Sequence, residues 1–248
     1  MRAMARRTGD IESFGFEPGR RLAGKYEIES FLGRGWEGEA YRVVETRTGV
    51  TRAAKFFFPQ RNRGDRSVKF YARKLERLRA CPIIVQYHHS ESFWFRGHRV
   101  TFLVSEFVEG KLLSQLIAAQ PGKRMLPFEA MHLLHALAEG MEPVHLLREY
   151  HGDLHDDNVL VERHGAFFNV RLVDLYPLGR PDGSKIKDDV AQLVRLFYDA
   201  IGGQRMYARQ PPEVKEICLG LRRDLIARKF PTAGHLRSFL ESFPWRSR

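Results

Sequence analysis

Apolar residues along the 248-residue chain change their spacing partway through. Over residues 26–55 they come at strand-like intervals, interrupted by turn-forming residues at Gly33 to Gly38 and around Thr46 to Gly49, which predicts strands joined by tight turns. Between Arg61 and Arg79 the spacing lengthens. Val68, Tyr71, Leu75 and Leu78 recur at i, i+3, i+7 and i+10, the stripe of a helix that buries one face. Residues 98–104 form another apolar strand. Beyond Gly110 the helical period takes over, at 112–119 and at 128–147, the latter in spite of Pro143. Short strands at 159–161 and 167–173 flank Arg163, His164 and Gly165, a hairpin with a glycine turn. Helices resume at 189–201, 212–222 and 233–239. The pattern divides the chain into an N-terminal extension (1–25), a mostly β lobe with its connection (26–110) and a mostly α lobe (111–248), with no internal repeat or long linker.

Composition supports a packed protein: 43% of residues are hydrophobic and 29% charged, close to the globular average and unlike a disordered chain. The uninterrupted apolar runs fall far short of the roughly 20 residues that cross a bilayer, so no membrane span is expected. Residues 1–7 are basic like the start of a signal peptide, but the next stretch is polar where an apolar core should follow. Two cysteines, Cys81 and Cys218, cannot build a disulfide framework and lack zinc spacing, and a cytoplasmic location is the expectation. The formal charge of +11 is concentrated between Arg61 and Arg79, where eight basic residues face only Asp65 and Glu76. Arg66, Lys69, Arg73 and Arg77 line the polar side of the expected helix. That side is a candidate surface for an acidic protein partner, with a simply solvated face as the alternative. Aromatic residues are not interleaved with the cations beyond core positions, which argues against nucleic acid.

Three segments carry candidate chemistry. Gly33, Gly35 and Gly38 form G-x-G-x-x-G after an expected strand, where bare backbone lets amides approach phosphate oxygens. With glycine at 21 positions this pattern arises by chance in about 0.15 of such chains, so it carries weight only together with the lysine and the aspartates downstream of it. Lys55 sits inside an apolar strand at a distance from which it could reach α- and β-phosphates rather than solvent. His151-Gly152-Asp153-Leu154-His155-Asp156-Asp157-Asn158 contains H-x-D-x-x-x-x-N, expected by chance in only about 0.005 of chains. Asp153 could accept a hydroxyl proton while Asn158 holds a metal ion. Asp174 ends the apolar strand across the hairpin and offers a hard oxygen ligand for Mg²⁺. His151 and His155 at i, i+4 would bind zinc only on a helix with a third ligand. His145 reads as a packed core histidine.

In order and over nearly the whole chain these segments resemble the protein kinase superfamily, and bacterial eukaryotic-like Ser/Thr kinases in particular. The resemblance implies an α+β, bilobal fold with an antiparallel sheet and one helix in the N-lobe and a mostly α C-lobe. It implies ATP and Mg²⁺ as cofactors. It assigns Gly33, Gly35 and Gly38 to the nucleotide loop, Lys55 to the phosphates, Asp153 and Asn158 to catalysis, and Asn158 and Asp174 to the metal. Glu106 and Val108 would offer backbone groups to adenine behind a Ser105 gatekeeper, and Leu32, Ala40, Ala53 and Leu160 would enclose its ring. Residues 228–236 resemble the end of a protein kinase C-lobe. The implied activity is transfer of the γ-phosphate of ATP to a protein Ser/Thr hydroxyl.

Several departures bear on that activity. Ala72 stands where the family places a glutamate to pair with Lys55, and Glu76, one turn further on, is the candidate partner. Asp174 is followed by Leu175-Tyr176 rather than Phe-Gly, and Gly152 replaces an arginine that commonly answers a loop phosphate. Only 175–188 separate Asp174 from Asp189, which resembles the aspartate opening the central C-lobe helix, and the peptide-docking segment is therefore truncated. His155 makes His-Gly-Asp-Leu-His similar to aminoglycoside-type phosphotransferases. A pseudokinase scaffold and a small-molecule kinase are the alternatives.

Overall fold

The fold is described from a computed structural model that covers residues 9–165, 167–177 and 179–242. The basic start of the chain, residues 1–7, lies outside them. The chain separates into two compact units: one runs to Arg79 and takes in Val85–Val108, the other holds Ala80–Ile84 and the chain from Glu109 onward.

The first unit contains β1 (Arg21–Leu22), β2 (Tyr26–Arg34), β3 (Gly38–Glu45), β4 (Thr51–Phe57), α1 (Arg66–Arg77), β5 (Tyr87–Phe95) and β6 (His98–Glu106). The strands form one antiparallel sheet in the order β1-β2-β3-β4-β6-β5. Tyr41 and Val43 on β3, Ala54 and Phe56 on β4, and Val100, Phe102 and Val104 on β6 are alternate residues that share one buried core, as the two-residue strand period allows, while Thr101 and Leu103 between them on β6 are buried too. Residues 9–20 pack onto this sheet, with Ile11, Phe14 and Phe16 in its core. Phe16 meets Phe56 edge-on at 5.2 Å, a favoured aromatic geometry. The buried Glu39 carboxylate accepts from the Phe14 amide at 3.1 Å and the Tyr41 hydroxyl at 2.6 Å. Burial, followed by that bond to Glu39, pushes the Tyr41 phenol well above its usual range.

Helix α1 buries Val68, Tyr71 and Leu75, and Leu78 follows them into the core, the stripe expected from spacing. Arg66, Lys69, Arg73 and Arg77 are exposed on its other side. Strand β5 was not legible in the pattern. It is rich in His, Ser and Glu and is largely half-exposed at the sheet edge, so it lacks the apolar alternation that marks a half-buried strand.

The second unit holds β7 (Lys111–Leu112), α2 (Leu113–Ala118), α3 (Pro127–Leu146), β8 (Val159–His164), β9 (Phe167–Leu172), α4 (Gly183–Ala200), α5 (Gly203–Tyr207), α6 (Pro212–Cys218), α7 (Arg223–Lys229) and α8 (Ala233–Glu241). Helix α3 is its centre. It buries Leu133, Leu134, Leu137, Ala138 and Met141 and packs on α4 and α8. Pro143 falls in its last turn, where the chain tolerates the lost hydrogen bond. Strands β7, β8 and β9 make a small antiparallel sheet. Helix α4 begins at Gly183, six residues before the expected start. The Asp182 carboxylate caps it by accepting the Ser184 and Lys185 amides, a signal that outweighs the weak apolar content of the first turn. No helix among the described residues is long and apolar enough to cross a membrane.

Candidate active site

In the first unit the glycine segment is the turn between β2 and β3. The Gly35 amide donates to the Gly38 carbonyl at 2.9 Å, a cross-strand bond that carries the β2–β3 pairing up to the tip at Trp36 and Glu37. A Cβ on Gly38 would overlap the Phe56 carbonyl oxygen of the neighbouring strand, so that glycine is required by the sheet itself. Gly33 and Gly35 have open space around the same position. Trp36, at the tip, is exposed, with the Arg61 guanidinium 4.2 Å from its ring.

Register fixes the remaining residues of this half. Ala40 pairs with Lys55 across β3 and β4, and Ala53 pairs with Ser105 across β4 and β6. Glu106 closes β6. Its amide donates to the Gln86 carbonyl, and its carboxylate accepts the Gln86 amide, each at 2.9 Å. Val108 ends this unit.

The Lys55 ammonium lies 3.6 Å from Glu37 Oε2 and 3.4 Å from the Tyr71 hydroxyl, which itself donates to Glu37 Oε2 at 2.7 Å. The second carboxylate oxygen of Glu37 accepts from Ser67 at 3.2 Å. Glu76 is exposed and pairs with Arg79 at 3.1 Å, which corrects the expectation that it meets Lys55. Tyr71, not an acidic residue, occupies the α1 position facing the lysine, and the carboxylate arrives from the glycine turn. The family resemblance pointed to a counter-charge on α1. Glu37 stood in view as a variable position of G-x-G-x-x-G.

In the second unit the hairpin brings the other residues together. Val159 pairs with Leu172, and the Val173 amide donates to the Asn158 carbonyl at 3.1 Å. Asn158, just before β8, and Asp174, just after β9, therefore share one end of the small sheet. Leu160 is the second residue of β8, paired with Leu112 and Arg171. The buried Asn158 side chain donates through Nδ2 to the Asp153 carbonyl at 2.8 Å and is 3.4 Å from its carboxylate. With Nδ2 so engaged, Oδ1 is the amide atom suited to a cation. The Asp174 carboxylate would offer a second hard oxygen of the kind Mg²⁺ takes. Asp174 has φ 56°, a left-handed conformation that aspartate adopts more readily than most residues.

The loop bearing Asp153 hangs from a buried carboxylate. Asp189 accepts the His151 amide at 2.7 Å and the Gly152 amide at 2.9 Å, with His145 Nε2 at 3.3 Å. His145 Nδ1 accepts the Ala233 amide at 3.0 Å, so its proton is on Nε2 and points to Asp189. His151 likewise accepts the Asp153 amide at Nδ1 and donates Nε2–H to the Val173 carbonyl at 2.9 Å. Both its ring nitrogens are committed within the fold, which leaves none for a metal. Gly152 has φ +91° and would crowd the Tyr150 ring and the Tyr176 carbonyl at 3.0–3.1 Å with any side chain. That conformation explains why glycine replaces arginine there.

The protein kinase domain family model matches residues 26–176, more than half of the chain, and the chain belongs to that family. It is 28% identical over 165 residues to the "Probable serine/threonine-protein kinase" of Streptomyces coelicolor, a match covering 64% of this chain and 23% of that protein. To the serine/threonine-protein kinase pkn2 of Myxococcus xanthus it is 29% identical over 155 residues, covering 62% of this chain and 18% of that one. The chain thus spans about a quarter or less of the length of these two relatives. Among solved structures it is similar to the PknI kinase domain of Mycobacterium tuberculosis, determined as a double mutant. The TM-score is 0.62 at 19% identity, over 92% of this chain and 97% of that one. The fold is that of a protein kinase domain.

Proposed function

We propose that the chain is an ATP-dependent phosphotransferase that delivers the γ-phosphate to a protein Ser/Thr hydroxyl. The observation that carries the reading is the linkage of Asp153, Asn158 and Asp174 at one end of the β8–β9 hairpin. Asp153 is the group that would orient the acceptor hydroxyl and receive its proton as the phosphoryl group departs from ATP. Asn158 and Asp174 would hold Mg²⁺, which neutralises charge on the phosphates when bound. Within the first unit, Lys55 would offer a positive charge to the phosphates, and Gly33 and Gly35 put no side chain in the way of them. The serine/threonine kinases among its relatives favour a protein substrate.

One observation favours a pseudokinase as the second reading. Helix α4 begins at Gly183, which leaves only residues 175–182 after Asp174 to dock a peptide. The exposed cations of α1 are, on either reading, the surface at which an acidic protein would bind. Incubation with Mg²⁺ and γ-labelled ATP, with and without a generic protein acceptor, separates the readings. Label on protein supports the phosphotransferase. Thermal stabilisation by MgATP without label transfer supports the scaffold.

A further inference from the structure

We propose that Glu37 is the positioning counter-charge of Lys55, and that Ser67 and Tyr71 hold it there, so that the glycine turn, helix α1 and the phosphate-facing lysine move as one unit. The proposal rests on the phosphotransferase reading and assigns within it a role usually expected of a helix carboxylate. Ser67 and Tyr71 are four residues apart and so share one face of α1. Their hydroxyls reach different oxygens of the same carboxylate, Ser67 to Oε1 at 3.2 Å and Tyr71 to Oε2 at 2.7 Å. Glu37 is also anchored through its backbone, its carbonyl accepting the Phe58 amide at 2.9 Å just beyond β4. Its side chain is only 12% exposed and that of Lys55 only 20%. At that burial a carboxylate needs donors and a cation to offset lost hydration, and Glu37 has both.

This arrangement differs in consequence from a carboxylate on the helix. A helix carboxylate leaves the glycine loop free to open while the lysine stays paired. With Glu37 in the turn, the residue that steadies Lys55 belongs to the loop expected to cover the phosphates. Opening that loop withdraws the counter-charge, and a displacement of α1 pulls on the loop through Ser67 and Tyr71.

The test uses the full chain and two independent readouts. Amide hydrogen exchange over residues 33–38, without nucleotide, reads the tether. Exchange in the Ser67→Ala/Tyr71→Phe double variant should speed up about tenfold or more. Glu37→Gln retains one acceptor oxygen and loses the charge. Its kcat/KM for MgATP should fall about a hundredfold, as expected for a misplaced catalytic group, with kcat falling more than KM rises, while its melting temperature stays near that of the unaltered chain. Exchange in the double variant equal to that of the unaltered chain overturns the tether, and Glu37→Gln with unchanged kcat/KM overturns the counter-charge. Failure of the phosphotransferase reading looks different: the unaltered chain then shows no turnover, while the exchange arm still decides whether the turn and helix are linked.

Discussion

Asp189 Oδ2 accepts the His151 amide at 2.7 Å across 38 residues of chain, and through this bond helix α4 sets the backbone of the loop that carries Asp153. The carboxylate is fully buried, and its three donors, the His151 and Gly152 amides and His145 Nε2, replace the water it has lost. Asp189→Ala leaves two buried backbone N–H groups and an imidazole N–H without their acceptor. The expected loss is about 3 kcal/mol of stability, or roughly 6–12 °C in Tm, read by calorimetry or thermal circular dichroism.

Gly152 makes a second, separable prediction. Restoring the arginine common in the family, Gly152→Arg, places a side chain at φ +91° against Tyr150 and the Tyr176 carbonyl. The variant should be less stable by about 1–3 kcal/mol, measured by denaturant unfolding, and should gain no response to phosphorylation.

The acid limb of stability should carry a contribution from His88. Burial, then the nearby Arg52, holds its imidazole below the usual value of 6.5. An unfolded His88 takes up a proton as pH falls through 6.5 while the folded one still resists, so the unfolded state binds more protons and is favoured. The contribution is present above pH 6.5 and is lost as pH falls from there towards the folded midpoint. His88→Gln should therefore lose less Tm than the parent between pH 7.5 and 5.5. Identical losses would remove His88 as a cause.

Both cysteines should be unreactive in the folded chain. Burial raises the Cys81 thiol and pushes Cys218 up to about 12, and thiolate is the reactive form. An aromatic disulfide reagent at pH 8 should label neither in native buffer and both in denaturant. Rapid native labelling would show that the chain around one of them opens.

How much was legible beforehand depends on the kind of signal each element gives. Helix α1, with Val68, Tyr71 and Leu75 inward and Arg66, Lys69, Arg73 and Arg77 outward, is written in a single amphipathic stripe, and the β8–β9 hairpin in two apolar runs around a glycine. Strand β5 is an edge strand, and helices α5 and α7 have only 5 and 7 residues, too short for a periodicity to stand out. Docking of Phe14 and Phe16 onto the sheet depends on tertiary packing, to which local patterns are blind. Asp153, Asn158 and Asp174 were singled out as candidates by fixed spacing. The Glu37 counter-charge was missed because carboxylate and ammonium meet through the fold of a hairpin turn, not through a helix register.

The most direct measurement of the central claim compares Asp153→Ala and Asp174→Ala with the parent in two assays, label transfer from γ-labelled ATP and metal-dependent nucleotide binding by calorimetry. Asp153 is assigned to the acceptor hydroxyl and Asp174 to Mg²⁺, so each replacement should remove most turnover. Only Asp174→Ala should also weaken nucleotide binding in the presence of Mg²⁺. Turnover that survives both replacements in folded protein would contradict the account.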